Sequence, residues 1–139
     1  MSEMDWDDFN RRLVEEFRAN GGKVTGRFEN MPLVLVTHKG AKSGIERTTP
    51  LVCSRDGDDV VIIASKGGAP DNPAWFHNLK ANPDVTVEIG AEAYPATAVE
   101  AEGDERDRLF AGQVAILPFF ADYQAATTRR IPVFRLVRK

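Results

Sequence analysis

Two short stretches carry most of this chain's capacity for chemistry. The first, Gly40-Ala41-Lys42-Ser43-Gly44-Ile45-Glu46-Arg47-Thr48-Thr49-Pro50-Leu51, puts an ammonium, a planar guanidinium and a hydroxyl on a glycine-rich turn. Lysine offers a point charge and arginine a two-pronged donor, the groups that anionic oxygens recruit. Glycines let backbone N–H groups turn toward a ligand. The spacing is not G-x-x-x-x-G-K-[ST], and the stretch runs into a β-branched segment rather than a helix, so it is not a nucleotide phosphate loop. On its own it fits a solvated hairpin tip as well as an anion site. The second stretch, Ala64-Ser65-Lys66-Gly67-Gly68, ends a neighbouring strand with the same ingredients. Two such loops on adjacent connections favour one shared anion pocket over two exposed tips.

Neither stretch contains a nucleophile with its base. Ser43 and Ser65 lack a nucleophile-elbow context, and His38 has no evident orienting acid. The single cysteine, Cys53, sits in an apolar run and reads as a buried structural thiol; one cysteine and two histidines, His38 and His77, are too few for common zinc sites. No metal is expected. If the protein is an enzyme, an organic cofactor must bring the reactivity.

The elements that would hold these residues follow from periodicity. Trp6, Phe9, Leu13 and Phe17 recur at helical spacing over 5–18, stopped by Gly21-Gly22. Acidic residues outnumber basic ones on this helix, the wrong sign for anionic lipid, so it is expected to pack on the protein rather than on a membrane. Apolar β-branched runs follow at 33–37, 48–54 and 60–64, and the Asp56-Gly57 turn predicts that the last two form an antiparallel hairpin. Asn72 and Pro73 read as N-cap and first residue of a helix carrying Trp75, Phe76 and Leu79. Strands at 85–89 and 94–101 flank Gly90. A helix from Asp104 is interrupted by Pro118, a shorter one runs through Tyr123, and 132–137 is a last strand.

About six strands joined mostly by hairpins, with helices at the start, middle and near the end, make an α+β protein whose antiparallel sheet closes as a split β-barrel. The 139 residues fit one domain over 1–139, with an N-terminal helix in 1–22 and the barrel in 33–137. Connections this short leave no room for a βαβ dinucleotide fold, and no G-x-G-x-x-G occurs. The net charge of −3 argues against general nucleic-acid binding. Three bases against one acid within 38–47 nonetheless suggest a small anionic ligand. With no apolar run of spanning length and an acidic start without a signal pattern, a cytoplasmic location is expected.

Lys42-Ser43-Gly44-x-x-Arg47-x-x-Pro50-Leu51, Ala64-Ser65-Lys66-Gly67-Gly68 and the run from Asn72 to Pro83 together resemble the signature of the deazaflavin-dependent nitroreductase family, and Arg130-Ile131-Pro132-Val133 fits the same pattern. The match extends from about Leu33 to Leu136. The resemblance implies a split β-barrel related to FMN-binding oxidases of the pyridoxamine-phosphate type. It also implies that reduced coenzyme F-420, an 8-hydroxy-5-deazaflavin, passes a hydride to a small electron-poor acceptor. Carried over by motif, Lys42, Arg47 and Lys66 would meet the coenzyme's phosphate and glutamate-tail charges, helped by Ser43 and Ser65. Pro50, Ala64, Trp75 and Asn78 would line the deazaflavin.

The chain departs from the family near Leu117, Phe120 and Tyr123, where members active on nitro compounds often carry tyrosines. Only Tyr123 keeps a hydroxyl and can donate a proton. An apolar groove mouth formed by Leu117 and Phe120 is therefore expected to favour a quinone or activated enone over a nitro compound. The alternatives are an FMN-dependent oxidoreductase and a non-catalytic carrier of the coenzyme or another apolar ligand.

Overall fold

A computed structural model describes residues 6–139, leaving Met1 to Asp5 and the side chains of Trp6 and Asp7 outside the description. Helix α1 spans Trp6–Ala19. Gly21, at φ +62°, lets the chain reverse so that the Gly22 N–H reaches the Phe17 carbonyl at 2.8 Å and closes the helix end. Leu13, Val14 and Phe17 are buried against Leu33 and Leu35 of strand β1 (Leu33–Lys39). Each large apolar side chain so buried contributes ~1.5–3 kcal/mol.

The remaining strands are β2 (Glu46–Val52), β3 (Ser54–Asp56), β4 (Asp59–Ile63), β5 (Asp84–Ile89), β6 (Glu92–Glu100) and β7 (Val133–Arg138). They form one sheet in the order β2-β1-β5-β6-β7-β4-β3, and every pair is antiparallel. The two edge strands are separated in sequence by Cys53 alone. A flat sheet of this width would hold its edges roughly 29 Å apart, whereas one residue spans at most ~3.6 Å. The sheet must therefore curl until its edges meet, which makes it the expected split barrel.

Successive residues of β4 are buried on opposite faces. Val60 and Ile62 point into the barrel with Phe134 and Leu136, where Trp75 and Leu79 of helix α2 (Ala74–Ala81) complete the interior. Val61 and Ile63 point outward beneath helices α3 (Gly103–Ile116) and α4 (Phe119–Ala125). Burial on both faces explains why 60–64 reads as a continuous apolar run rather than an alternating one.

Two local expectations are corrected. The run 48–54 is not one strand paired with β4: it breaks at Cys53, its larger part pairs with β1, and only Ser54–Asp56 forms the hairpin around Gly57. The turn signal fixes its immediate neighbours, while the rest of the run satisfies its backbone against β1. Asn72 does not cap α2 either. Pro73 holds that position in extended conformation, and the Asn72 Oδ1 accepts from Arg129 Nη1 at 2.7 Å.

Candidate functional site

The hairpin between β1 and β2 folds over the start of α2, and the space between them is a groove of about 750 Å³. Strand alternation selects what faces it. His38 stands opposite Arg47, and with Thr49 two residues further on, these side chains share one face of the ribbon. Lys42 and Ser43 come from the loop, Trp75 and Asn78 from successive turns of α2.

The loop is built largely for its own rigidity. The N–H of Gly40 bonds to the Ile45 carbonyl at 2.9 Å, that of Gly44 to the Gly40 carbonyl at 3.0 Å, and that of Ile45 to Ser43 Oγ at 3.2 Å. A side chain on Gly40 would collide with Ser43 Oγ, at 2.4 Å from its Cβ. The Ala41 N–H is spent on Asn78 Oδ1 at 2.8 Å, which ties the loop to α2. The expectation that the glycine N–H groups face a ligand is thereby corrected, because Gly40 and Gly44 use theirs within the loop. The ligand-directed charge comes from side chains.

Lys42 and Arg47 line the groove, and among the described residues no carboxylate does. His38 is buried, and its ring pKa lies below the usual 6.5, first because burial disfavours the imidazolium and then because of the Arg47 charge. Its Nδ1 is 3.1 Å from Asn78 Nδ2, and its Nε2 is 2.8 Å from Thr49 Oγ1. The ring is thus oriented by an amide and a hydroxyl rather than by an acid.

The groove gathers Lys42, Ser43, Arg47, Trp75 and Asn78 among the residues singled out from the sequence. Trp75 does double service: it is largely buried, tilted against Phe134 with ring centroids 6.1 Å apart, while its remaining surface floors the groove. Pro50 lies opposite Leu35 on the other face of the ribbon, toward α1. Ala64 is wholly buried in the barrel interior.

Ser65 and Lys66 sit on the second loop, outside the groove lining. Lys66 Nζ reaches Asp71 Oδ2 at 2.9 Å, and the Ser65 hydroxyl is on a buried residue. This loop is held by Arg129, which sequence reasoning missed. Its guanidinium donates to the carbonyls of Ala64 (3.2 Å), Ser65 (2.9 Å) and Ala69 (2.9 Å) as well as to Asn72. Tyr123 is half-buried beside the same loop, edge-on to Phe119 and Phe120 at 5.5 and 5.2 Å. Leu117 and Phe120 do not form a groove mouth, since both are buried beneath α3 and α4 with Val61 and Ile63. Cys53 is the buried thiol expected, its pKa pushed up to about 12 by burial. Among the described residues no helix is long and apolar enough to cross a membrane.

Comparison with known proteins agrees with this architecture. A quinone reductase of Mycobacterium tuberculosis (strain H37Rv), dependent on reduced coenzyme F-420, is 39% identical over 127 residues, spanning 88% of this chain and 85% of the relative. A solved structure described as an F420-H2 dependent reductase superposes with a TM-score of 0.71 at 44% identity, covering 76% of this chain and 93% of that one. A Listeria innocua protein named for pyridoxamine 5'-phosphate oxidase shares the fold alone, with a TM-score of 0.56 at 12% identity over 97% of this chain and 94% of that one. The profile of one family matches residues 9–138, nearly the whole of the described chain. The chain belongs to the F420H(2)-dependent quinone reductase family, oxidoreductases that take reduced coenzyme F-420 as hydride donor.

Proposed function

We propose that this protein transfers a hydride from reduced coenzyme F-420 to a quinone, and that the groove between the β1–β2 hairpin and α2 is where the coenzyme is held. The observation that carries the assignment is a groove lined by Lys42 and Arg47 and, among the described residues, by no carboxylate, floored by an indole. That donor set suits a flat ring bearing an anionic side chain. When bound, the reduced coenzyme supplies the hydride; the protein supplies position.

Arg47 and Lys42 hold the anionic end, Ser43 and Asn78 hold the hairpin loop in register over it, and Trp75 supports the ring. Fixing two reactants in near-attack geometry can remove ~7–11 kcal/mol of barrier, so an enzyme of this kind needs no acid–base dyad of its own. In this reading Lys66 and Ser65 contribute from the second loop, with Lys66 exchanging Asp71 for the ligand. Ala64 and Pro50 act through the strands they brace. Tyr123 is the phenol assigned to the acceptor side, at the α4 end of the second loop.

Titration of the purified protein with coenzyme F-420 and, separately, with FMN tests the assignment. Saturable binding of the deazaflavin, weakened in Lys42→Ala and Arg47→Ala, is the expected result. Preferential binding of FMN would replace the reading.

A further inference from the structure

We propose that the hydroxyl of Thr49 is a hydrogen-bond donor to an oxygen of the coenzyme held in the groove, and that His38 and Asn78 are positioning residues that leave it no other role. The inference rests on the assignment of the groove to the coenzyme. It follows from the direction of each hydrogen bond in a chain of four groups.

The chain is anchored at a backbone N–H, which can only donate. The Ala41 N–H lies 2.8 Å from the Asn78 side chain, so the atom facing it is the carbonyl oxygen Oδ1. The amide's other arm, Nδ2, is then an NH₂ group and donates to His38 Nδ1 at 3.1 Å. A neutral imidazole accepting at Nδ1 carries its hydrogen on Nε2. His38 Nε2–H therefore donates to Thr49 Oγ1 at 2.8 Å. The threonine oxygen is the terminal acceptor, and its own hydrogen has no acceptor among the described residues. Thr49 lines the groove beside the His38–Arg47 pair, so that hydrogen is available to whatever occupies it. The reverse order would turn the Asn78 NH₂ onto the Ala41 N–H, donor against donor.

The test uses the full chain. In ¹⁵N NMR of imidazole-labelled protein without coenzyme, His38 should appear as the Nε2–H tautomer; an Nδ1–H signature would overturn the proposal whatever the variants do. In titrations with coenzyme F-420, Thr49→Val should weaken binding roughly threefold to tenfold while Thr49→Ser keeps wild-type affinity. His38→Gln, whose amide can still donate to Thr49, should bind more tightly than His38→Leu. Wild-type affinity in Thr49→Val, with Lys42→Ala still impaired, would overturn this inference and leave the coenzyme groove standing. Wild-type affinity in both variants would overturn the groove assignment itself.

Discussion

A Cβ built on Gly68 would stand 2.9 Å from the carbonyl oxygen of Tyr123. The loop after β4 is thus pressed onto α4 closely enough that a side chain at Gly68 would force a shift. Gly68 also has φ +85°, a left-handed conformation that costs an alanine roughly 1–2 kcal/mol before the contact is counted. Gly67, at φ +63°, meets nothing within 4 Å. Gly68→Ala is therefore expected to lower the Tm clearly more than Gly67→Ala. Equal losses by thermal denaturation would show that α4 yields to the loop.

Arg129 is expected to be the residue that keeps the second loop in one conformation. Its acceptors lie in several directions, so a lysine, a point charge on a flexible stem, cannot replace it. With hydrogen bonds to charged groups contributing ~1.5–3 kcal/mol, Arg129→Lys should lose about 2 kcal/mol of stability. Faster limited proteolysis within 65–72 should accompany it. An unchanged cleavage rate would contradict the clamp.

The burial of Phe120 reverses the expectation drawn from sequence. Phe120→Tyr should not raise turnover with nitro acceptors selectively, because the new hydroxyl enters a packed layer against Phe119, whose ring centroid is 5.0 Å away. Burying an unpaired hydroxyl there costs about 1–3 kcal/mol. Chemical denaturation of the variant, with kcat/KM for one quinone and one nitroaromatic, checks both statements. A selective gain with the nitro acceptor would mean that α4 opens in solution.

His38 gives stability a pH dependence of known sign. Its folded pKa is depressed below 6.5 by burial and by Arg47, so its contribution is complete above pH 6.5 and declines as pH falls from 6.5 through the lowered value. Arg47 from β2, Lys42 from the loop and His77 from α2 face the same groove, and among the described residues no carboxylate is there to stabilise the imidazolium. Protonation would also put a hydrogen on Nδ1, against the Asn78 NH₂. Wild type should therefore lose more stability between pH 7.5 and 5.5 than His38→Gln. Identical losses would contradict this role for His38.

What could be read from the sequence was what depends on near neighbours. The two glycine-rich loops, the α1 stop at Gly21-Gly22 and the burial of Leu13, Phe17, Trp75 and Leu79 on helix faces are local patterns, and the structure keeps them. The role of His38 was not legible, because its partners lie 40 and 11 residues away and are an amide and a hydroxyl, whereas the pattern sought was an acid. The fate of Asn72 depended likewise on Arg129, 57 residues distant. Pro50 is different: it is three residues from Arg47 on one strand, and odd spacings put side chains on opposite faces, so alternation alone separates the two. The tyrosine-poor segment invited a functional reading of Leu117 and Phe120, when the outward faces of β4 and β7 needed covering and these residues cover them.

In the proposed arrangement Lys42 and Arg47 meet the anionic end of the coenzyme. The most direct measurement is the affinity of the full chain for coenzyme F-420 across a range of salt concentrations, for wild type, Lys42→Ala and Arg47→Ala. Each charge-assisted contact is worth ~1.5–3 kcal/mol, so each variant should bind roughly tenfold or more weakly, with a shallower salt dependence than wild type. Wild-type affinity and salt dependence in both variants would show that neither side chain meets the coenzyme's anionic end.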